Sequence, residues 1–300
     1  MSTAAAPVTS TPAERVAIAG PAQNKRKVRP ATVVAYVLLS IIAITWLMPV
    51  LWATLTAFKP ETEAAGLPVT IVPESGFTTG AFEDVLAAGL VPRWAFNSLL
   101  TASATTFITL VVSSLAGYAL SRMNFPGKNV SLGVIVASIL IPAQIIIVPL
   151  FEQMVDFNML DTYWAIILPQ VVAAPMVFIL KRFFDAIPRD LEEAAMIDGA
   201  SRMRIFLQII LPLSRPILAA VAIFVFIQTW NNFLWPFIAI TDPEIMTLPV
   251  GLQTVISAYG IQYAQVMAQA VLAALPLIVA FIFFQRQIIK GIATSGITGT

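Results

Sequence analysis

The sequence predicts an all-α integral membrane protein, a bundle of six transmembrane helices. Three observations carry this. Of 300 residues, 58% are hydrophobic and only 11% charged, where a soluble domain carries roughly a quarter charged residues. The apolar residues gather into six stretches, each near the ~20 residues that take a helix across a bilayer. Basic residues crowd onto alternate connections, as they do in multi-pass chains.

Taken in order, residues 1–30 are rich in Ala, Pro and Thr. With so little to bury, they are expected to form a disordered tail. The first apolar run, 33–58, follows Lys25, Arg26, Lys27 and Arg29. It is too long for a secretory h-region and lacks a clear small-residue cleavage site, so it is expected to remain as the first span. Five further spans are predicted over 97–121, 131–153, 163–184, 216–240 and 268–285. Pro142, Pro149, Pro169 and Pro276 fall inside them, which spanning helices tolerate when neighbours satisfy the freed carbonyls. The connection over 59–94 is rich in Gly, Pro and Thr and is expected to be irregular, with a short helix over 81–88.

Six spans return both termini to one side. That side carries 15 of the 17 Lys and Arg residues, among them Arg122, Lys128, Lys181, Arg182, Arg189, Arg202, Arg204, Arg215, Arg286 and Lys290. Only Lys59 and Arg93 fall on the other side, against many carboxylates. The basic side is therefore expected to be cytoplasmic, termini included, with 31–300 forming one six-span domain in contact with membrane lipid.

The inventory excludes several functions. Without histidine or cysteine there is no Ser-His-Asp triad, no thiolate nucleophile and no histidine-based metal site. No phosphate-binding G-x-x-x-x-G-K-[ST] loop occurs, so ATP, if used, binds another chain. No cofactor or metal is expected here, and no nucleic-acid partner. No Asp, Glu, Lys or Arg lies near the middle of a span. That argues against a proton- or sodium-coupled carrier and suits a neutral solute with many hydroxyls.

One polar interruption in the apolar second half stands out, 190–212. It reads as a short helix, a glycine stop and a second helix running toward Pro212 and Pro216. Asp190 is expected to cap the first helix with Glu193 reaching back to it. Gly199 suits a left-handed stop, and Ser201 is placed to cap the second helix. Small Ala194 and Ala195 would let a partner approach closely, and Met196 and Ile197 are apolar on a connection that otherwise faces water. The neighbouring carboxylates could pair with a partner's arginines. A plain helix–turn–helix lying on the membrane surface is the alternative.

Glu193-Ala194-Ala195, Gly199, then Ile209, Leu211 and Pro212 keep the spacing of the EAA loop of ABC importer membrane subunits. The chain resembles the carbohydrate-importing, maltose-type branch of that permease family. Ala116-Gly117-Tyr118-Ala119-Leu120 with Phe125-Pro126-Gly127, Trp230-Asn231-Asn232-Phe233-Leu234-Trp235-Pro236, and Phe284-Gln285-Arg286 through Gly291 agree with it. The resemblance covers nearly everything after residue 30. It implies the ABC importer permease fold, a coupling loop at about 186–215 and alternating access in a bacterial plasma membrane. It implies that Glu192, Glu193, Ala194, Ala195, Met196, Ile197 and Gly199 couple to an ATPase. The implied partners are a second homologous permease subunit, two ATPase subunits carrying ATP and magnesium, and an external solute-binding protein. The chain itself would be no enzyme. The 59–94 connection is either a plain connector or a contact for that binding protein. A self-contained secondary carrier of a neutral polar solute is the alternative function.

Gln144, Gln170, Gln228, Asn231 and Asn232 lie within apolar spans. Two roles fit them: bonding neighbouring helices or lining a solute path. At about 1.5 Å per residue, Gln144, Gln170 and Asn231 are expected at one level, roughly 20 Å above the cytoplasmic side. Gln228, Asn231, Asn232 and Trp235 are expected to share a helical face, with Trp230 or Trp235 offering a flat surface to a sugar ring. The other tryptophans, Trp46, Trp52, Trp94 and Trp164, are expected in the interfacial belts.

Overall fold

The structure, a computed structural model, describes residues 30–68, 70–87, 90–254 and 262–296. The expected disordered tail lies outside the described residues. In chain order the helices are α1 Pro30–Ala57, α2 Glu61–Ala64, α3 Gly80–Ala87, α4 Val91–Arg122 and α5 Lys128–Ile139. A 3-10 turn, Ala143–Ile146, leads to α6 Ile147–Asp156. Then come α7 Tyr163–Ile167 with a 3-10 turn through Gln170, α8 Ala174–Asp185 and α9 Asp190–Ile197. Next, α10 Arg202–Ile205 runs through a π-helical turn, Phe206–Ile210, into α11 Leu211–Leu213. The last elements are α12 Arg215–Trp230, α13 Leu234–Ala239, α14 Leu248–Thr254 and α15 Tyr263–Gly296. No strand occurs among the described residues. The chain divides into two compact units after Met48. The first holds the described start of α1, an apolar helix in which Thr45 bonds back to the Ile41 carbonyl.

The expected all-helical membrane bundle is found; among the described residues two helices, α1 and α4, are long and apolar enough to cross a membrane, and three bent pairs bring the spans to five rather than the expected six. The third span bends by 95° between α5 and the segment from Ala143, at Pro142. The fourth bends by 46° between Gln170 and Ala174, where Pro175 opens α8. α10–α11 meets α12 at 79°, with Pro212 before the bend and Pro216 after it. Each break falls beside a proline, which lacks the N–H that would continue the ladder and disfavours helix in the residue before it. The fifth span, expected over 216–240, is helical only to Trp230; Asn231 closes α12 and a short α13 follows. The expected helix over 81–88 is α3.

α4 runs unbroken for 32 residues with a proline only in its first turn, whereas the other long helices, α1 and α15, carry Pro49 and Pro276 inside. Asn97, Thr101, Thr105, Thr109, Ser113, Gly117 and Ser121 recur every fourth residue along it, and all are buried. Residues four apart share one helical face, and small residues there let neighbouring backbones come close. A Cβ on Gly117 would lie 3.1 Å from the Lys181 nitrogen and 3.3 Å from the Val177 oxygen of α8. At the other end of the rod, Trp94 is 2% exposed and its ring fills the space where a Gly251 Cβ would stand, 2.1 Å away. Trp94 is therefore core, not interfacial belt. Trp46, Trp52 and Trp164 are exposed.

Polar clasps close the connections. Glu61 accepts from the backbone N–H of Tyr263 and Ala264, capping α15. Asp161, between α6 and α7 at φ 55°, accepts from Thr241 N, Thr241 Oγ1 and Asp242 N. Burial pushes the Asp161 carboxyl up, but these three donors prevail and hold it below the ordinary carboxylate range. The sign follows from linkage: a folded pKa below the unfolded one adds stability above the unfolded value, near 4, and loses it as pH falls through the folded value. Wild-type protein in detergent should therefore melt above Asp161→Asn at about pH 6, and the gap should narrow as pH falls below the ordinary carboxylate value of about 4. A gap independent of pH would mean the clasp contributes nothing as a carboxylate.

Candidate functional site

The polar interruption folds as two helices with a tight corner. Gly199 adopts φ 79°, and the Gly199 and Ala200 N–H groups donate to the Met196 and Ala195 carbonyls at 3.0 and 2.9 Å. This is the paired closure of a Schellman stop, which needs the left-handed residue that glycine supplies. Ser201 caps α10 by accepting from Arg204 N at 3.3 Å. The expected cap at the other end does not form: α9 starts at Asp190 itself, Arg189 occupies the cap position, and no side chain caps it. Asp190, Glu192 and Glu193 instead lie in the first turn, where the helix dipole favours them.

Adjacent carboxylates on α9 point opposite ways. Glu193 is exposed, with Ala194 and Met196 beside it, and Ile197 is 86% exposed. Ala195 is half-buried and helps line a groove of about 240 Å³ with Asp198, Ala200, Arg204, Ile205, Gln208 and Ile209. Glu192 faces inward and is 4% exposed. Its Oε1 lies 2.8 Å from Arg122 Nε, and Tyr118 Oη donates to Oε2 at 3.4 Å. Arg122 ends α4, and its Nη2 donates to the carbonyls of Phe184 in the last turn of α8 and of Ile187 just beyond it. Ser121 donates to Asp185, which also pairs with Lys181 at 2.7 Å. Beneath lies an apolar cluster including Tyr118, Phe184, Ile205, Phe206 and Ile210. Glu192, expected to face a partner, is thus an internal anchor. A buried carboxylate must find a cation, and the end of α4 supplies one.

The amides expected on a solute path divide. Gln170 and Asn232 meet, Asn232 Nδ2 donating to Gln170 Oε1 at 2.8 Å, while Gln170 Nε2 donates to the Ile166 carbonyl at 2.7 Å. Asn231 bonds back to Ile227 O of its own helix at 2.9 Å and is exposed, as are Gln144 and Gln228. The shared face of Gln228, Asn231, Asn232 and Trp235 does not exist, because α12 ends at Trp230. Neither indole offers a free surface. Trp230 is 3% exposed, stacks on Phe226 and donates to Ala273 O. Trp235 is 6% exposed and donates to Ala165 O at 2.8 Å. Both are core residues whose N–H found a carbonyl.

Three residues escaped the sequence reading. Arg122 was counted only as a cytoplasmic charge, yet it closes the loop onto α4. Asn97 was only a span boundary, yet it is fully buried and bonded on all sides: Nδ2 to Glu244 O and Met246 O, Oδ1 from Tyr163 Oη. Ser98 accepts from Leu248 N. The four-residue recurrence from Asn97 to Ser121 was the signal available.

The family described as binding-protein-dependent transport system inner membrane component matches residues 109–294. The chain is 36% identical over 262 residues to the arabinooligosaccharides transport system permease protein AraQ of Halalkalibacterium halodurans, covering 87% of this chain and 94% of that one. It is 32% identical to the sulfoquinovosyl glycerol transport system permease protein SmoH of Agrobacterium fabrum, covering 88% and 93%. It is also 32% identical to the sn-glycerol-3-phosphate transport system permease protein UgpE of Yersinia enterocolitica, covering 89% and 98%. A bacterial ABC transporter involved in the import of the acidic polysaccharide alginate shares the fold: TM-score 0.76 over 87% of this chain and 97% of that chain, at 22% identity.

Glu192→Ala would leave Arg122 a buried cation without its counter-ion, which costs about 3–5 kcal/mol. Replacing both, as Arg122→Met with Glu192→Leu, should recover much of that loss. Thermal melts of the purified protein test this; a Glu192→Ala melt equal to wild type would deny the pair its structural weight.

Proposed function

The chain belongs to the family of binding-protein-dependent transport system inner membrane components, and on that premise we propose how it works within its importer. It is a membrane-spanning permease subunit of an ATP-driven carbohydrate importer, resident in the plasma membrane and assembled with other ABC components. Such subunits are not enzymes. In our reading, ATP and magnesium bind two ATPase subunits, a second homologous permease completes the pathway, and an external binding protein delivers the solute. α9 and its corner lie in the cytoplasm with both termini.

The observation that carries the coupling assignment is the division of labour on α9. Glu193, Ala194, Met196 and Ile197 present an exposed patch, apolar with one carboxylate, while Glu192 fastens the same helix to α4. Gly199 fixes the corner that sets the patch against the groove beside Ala195. An ATPase seated on this patch moves the α4–α8 pair whenever it moves α9, and the spans alternate between outward and inward access. The substrate is a polyhydroxylated sugar or sugar derivative. Proteins similar to this chain are named for arabinooligosaccharides, sulfoquinovosyl glycerol and sn-glycerol-3-phosphate. Of the amides, the Gln170–Asn232 pair, joined between two spans, offers neutral hydrogen-bonding groups for hydroxyls.

Glu193→Lys and Gly199→Leu should each weaken capture of the ATPase or uncouple hydrolysis from uptake, with normal membrane insertion. Pull-down and uptake equal to wild type in both would sink the docking assignment. Orientation has its own test. A single cysteine at Asn129 should resist an impermeant thiol reagent in intact cells, while one at Asp242 should react; the reverse pattern would invert the topology.

A further inference from the structure

The spans differ in what they can transmit. A bent helix can absorb displacement at its break, and the third, fourth and fifth spans are all bent or interrupted. α4 is continuous from Val91 to Arg122, so 25 residues separate Asn97 from Arg122, about 38 Å of helix. Both of its ends finish in dense polar joints. At the inner end Tyr118, Ser121 and Arg122 grip Glu192, Asp185 and the carbonyls at the end of α8. At the other end Trp94, Asn97 and Ser98 grip the backbone of 243–248. Trp94 donates to Pro243 O at 2.7 Å, Asn97 to Glu244 O and Met246 O at 2.8 and 2.9 Å, and Ser98 accepts from Leu248 N at 2.8 Å. The side chains of Asp242, Pro243 and Glu244 above this joint are exposed.

We propose that α4 is the strut that carries displacement of α9 to the opposite face of the protein, with Asn97 the positioning residue that fastens the 243–248 segment to it. The proposal rests on the reading of α9 as the ATPase contact. Asn97 suits the role because its amide has no spare group. It spends two donors on the segment and its acceptor on Tyr163 of α7. Coupling between distant faces can be carried by a rigid element whose position both ends feel, and α4 with its two joints is such an element.

The chain has no cysteine, so a nitroxide on Glu244→Cys is unique within it. In the complete importer, ATP with magnesium and vanadate should change the spectrum of this label. Asn97→Ala should cut the change by about tenfold, within the range of measured coupling energies. Tyr163→Phe removes one bond of the joint and preserves the fold, and should cut the change less. A purely structural role for Asn97 would lower the melting temperature and leave the ATP-dependent amplitude per folded complex intact; that result overturns the proposal. Glu193→Lys separates the two readings. If it silences the label while Asn97→Ala and Tyr163→Phe do not, the strut fails and the coupling surface stands. If Glu193→Lys leaves the response at wild-type amplitude, the coupling reading itself fails.

Discussion

A buried guanidinium is the constraint around which the loop end of this protein is built. Arg122 sits in a 4%-exposed site with a 5%-exposed Glu192 side chain. Desolvating two such charges costs several kcal/mol per ion, and attraction repays it only with good geometry and further hydrogen bonds. Those further bonds exist: two carbonyls take the Arg122 nitrogen, and a tyrosine hydroxyl takes the second carboxylate oxygen. Each also fixes an element. The carbonyls belong to the exit from α8, the carboxylate to α9 and the hydroxyl to α4. One charge therefore sets three chain segments against each other, and the small Gly117 lets α4 and α8 approach closely enough for it.

The same arrangement explains why α9, with only eight residues, keeps its shape. A helix that short is marginal in water. Here its first turn is pinned by Glu192 and its last is closed by Gly199, so little of it is free to fray. That leaves Glu193, Met196 and Ile197 to face outward on a fixed frame. A rigid frame matters for a contact surface, because side chains that are already placed lose less freedom when a partner arrives.

Much of this was legible in the sequence, for identifiable reasons. Span existence follows from hydropathy, because the bilayer demands long apolar runs whatever the tertiary packing. The Gly199 corner and the Ser201 cap follow from local backbone chemistry, which acts within a few residues. The expectations that failed depended either on partners distant in sequence or on where a helix begins and ends. Asp190 has no capping role because α9 begins one residue early, with Arg189 at the cap position. Trp94, Trp230 and Trp235 looked alike in sequence to the belt or path tryptophans, and only packing against Gly251, Ala273 and Ala165 makes them core. The amide stripe failed because α12 stops at Trp230, and a period of 3.6 has no meaning past a helix end.

The broken spans and the proline-free interior of α4 then have a common physical origin. Inside a membrane every backbone polar group freed at a break must be answered within the protein. Polar side chains sit beside the breaks: Gln170 donates to Ile166 O, Asn231 to Ile227 O, and Asn232 reaches across to Gln170. α4 has no such break, so the hydroxyls along its buried face stay small and serve close packing. Its stronger polar groups, Asn97, Ser98, Ser121 and Arg122, lie toward its ends, where neighbouring connections leave backbone groups to bond. Polarity in this chain thus sorts by the backbone it answers. Where a span must bend, amides stay local. Where a span must hold, the polar groups sit at its two ends and fasten it to what lies beyond.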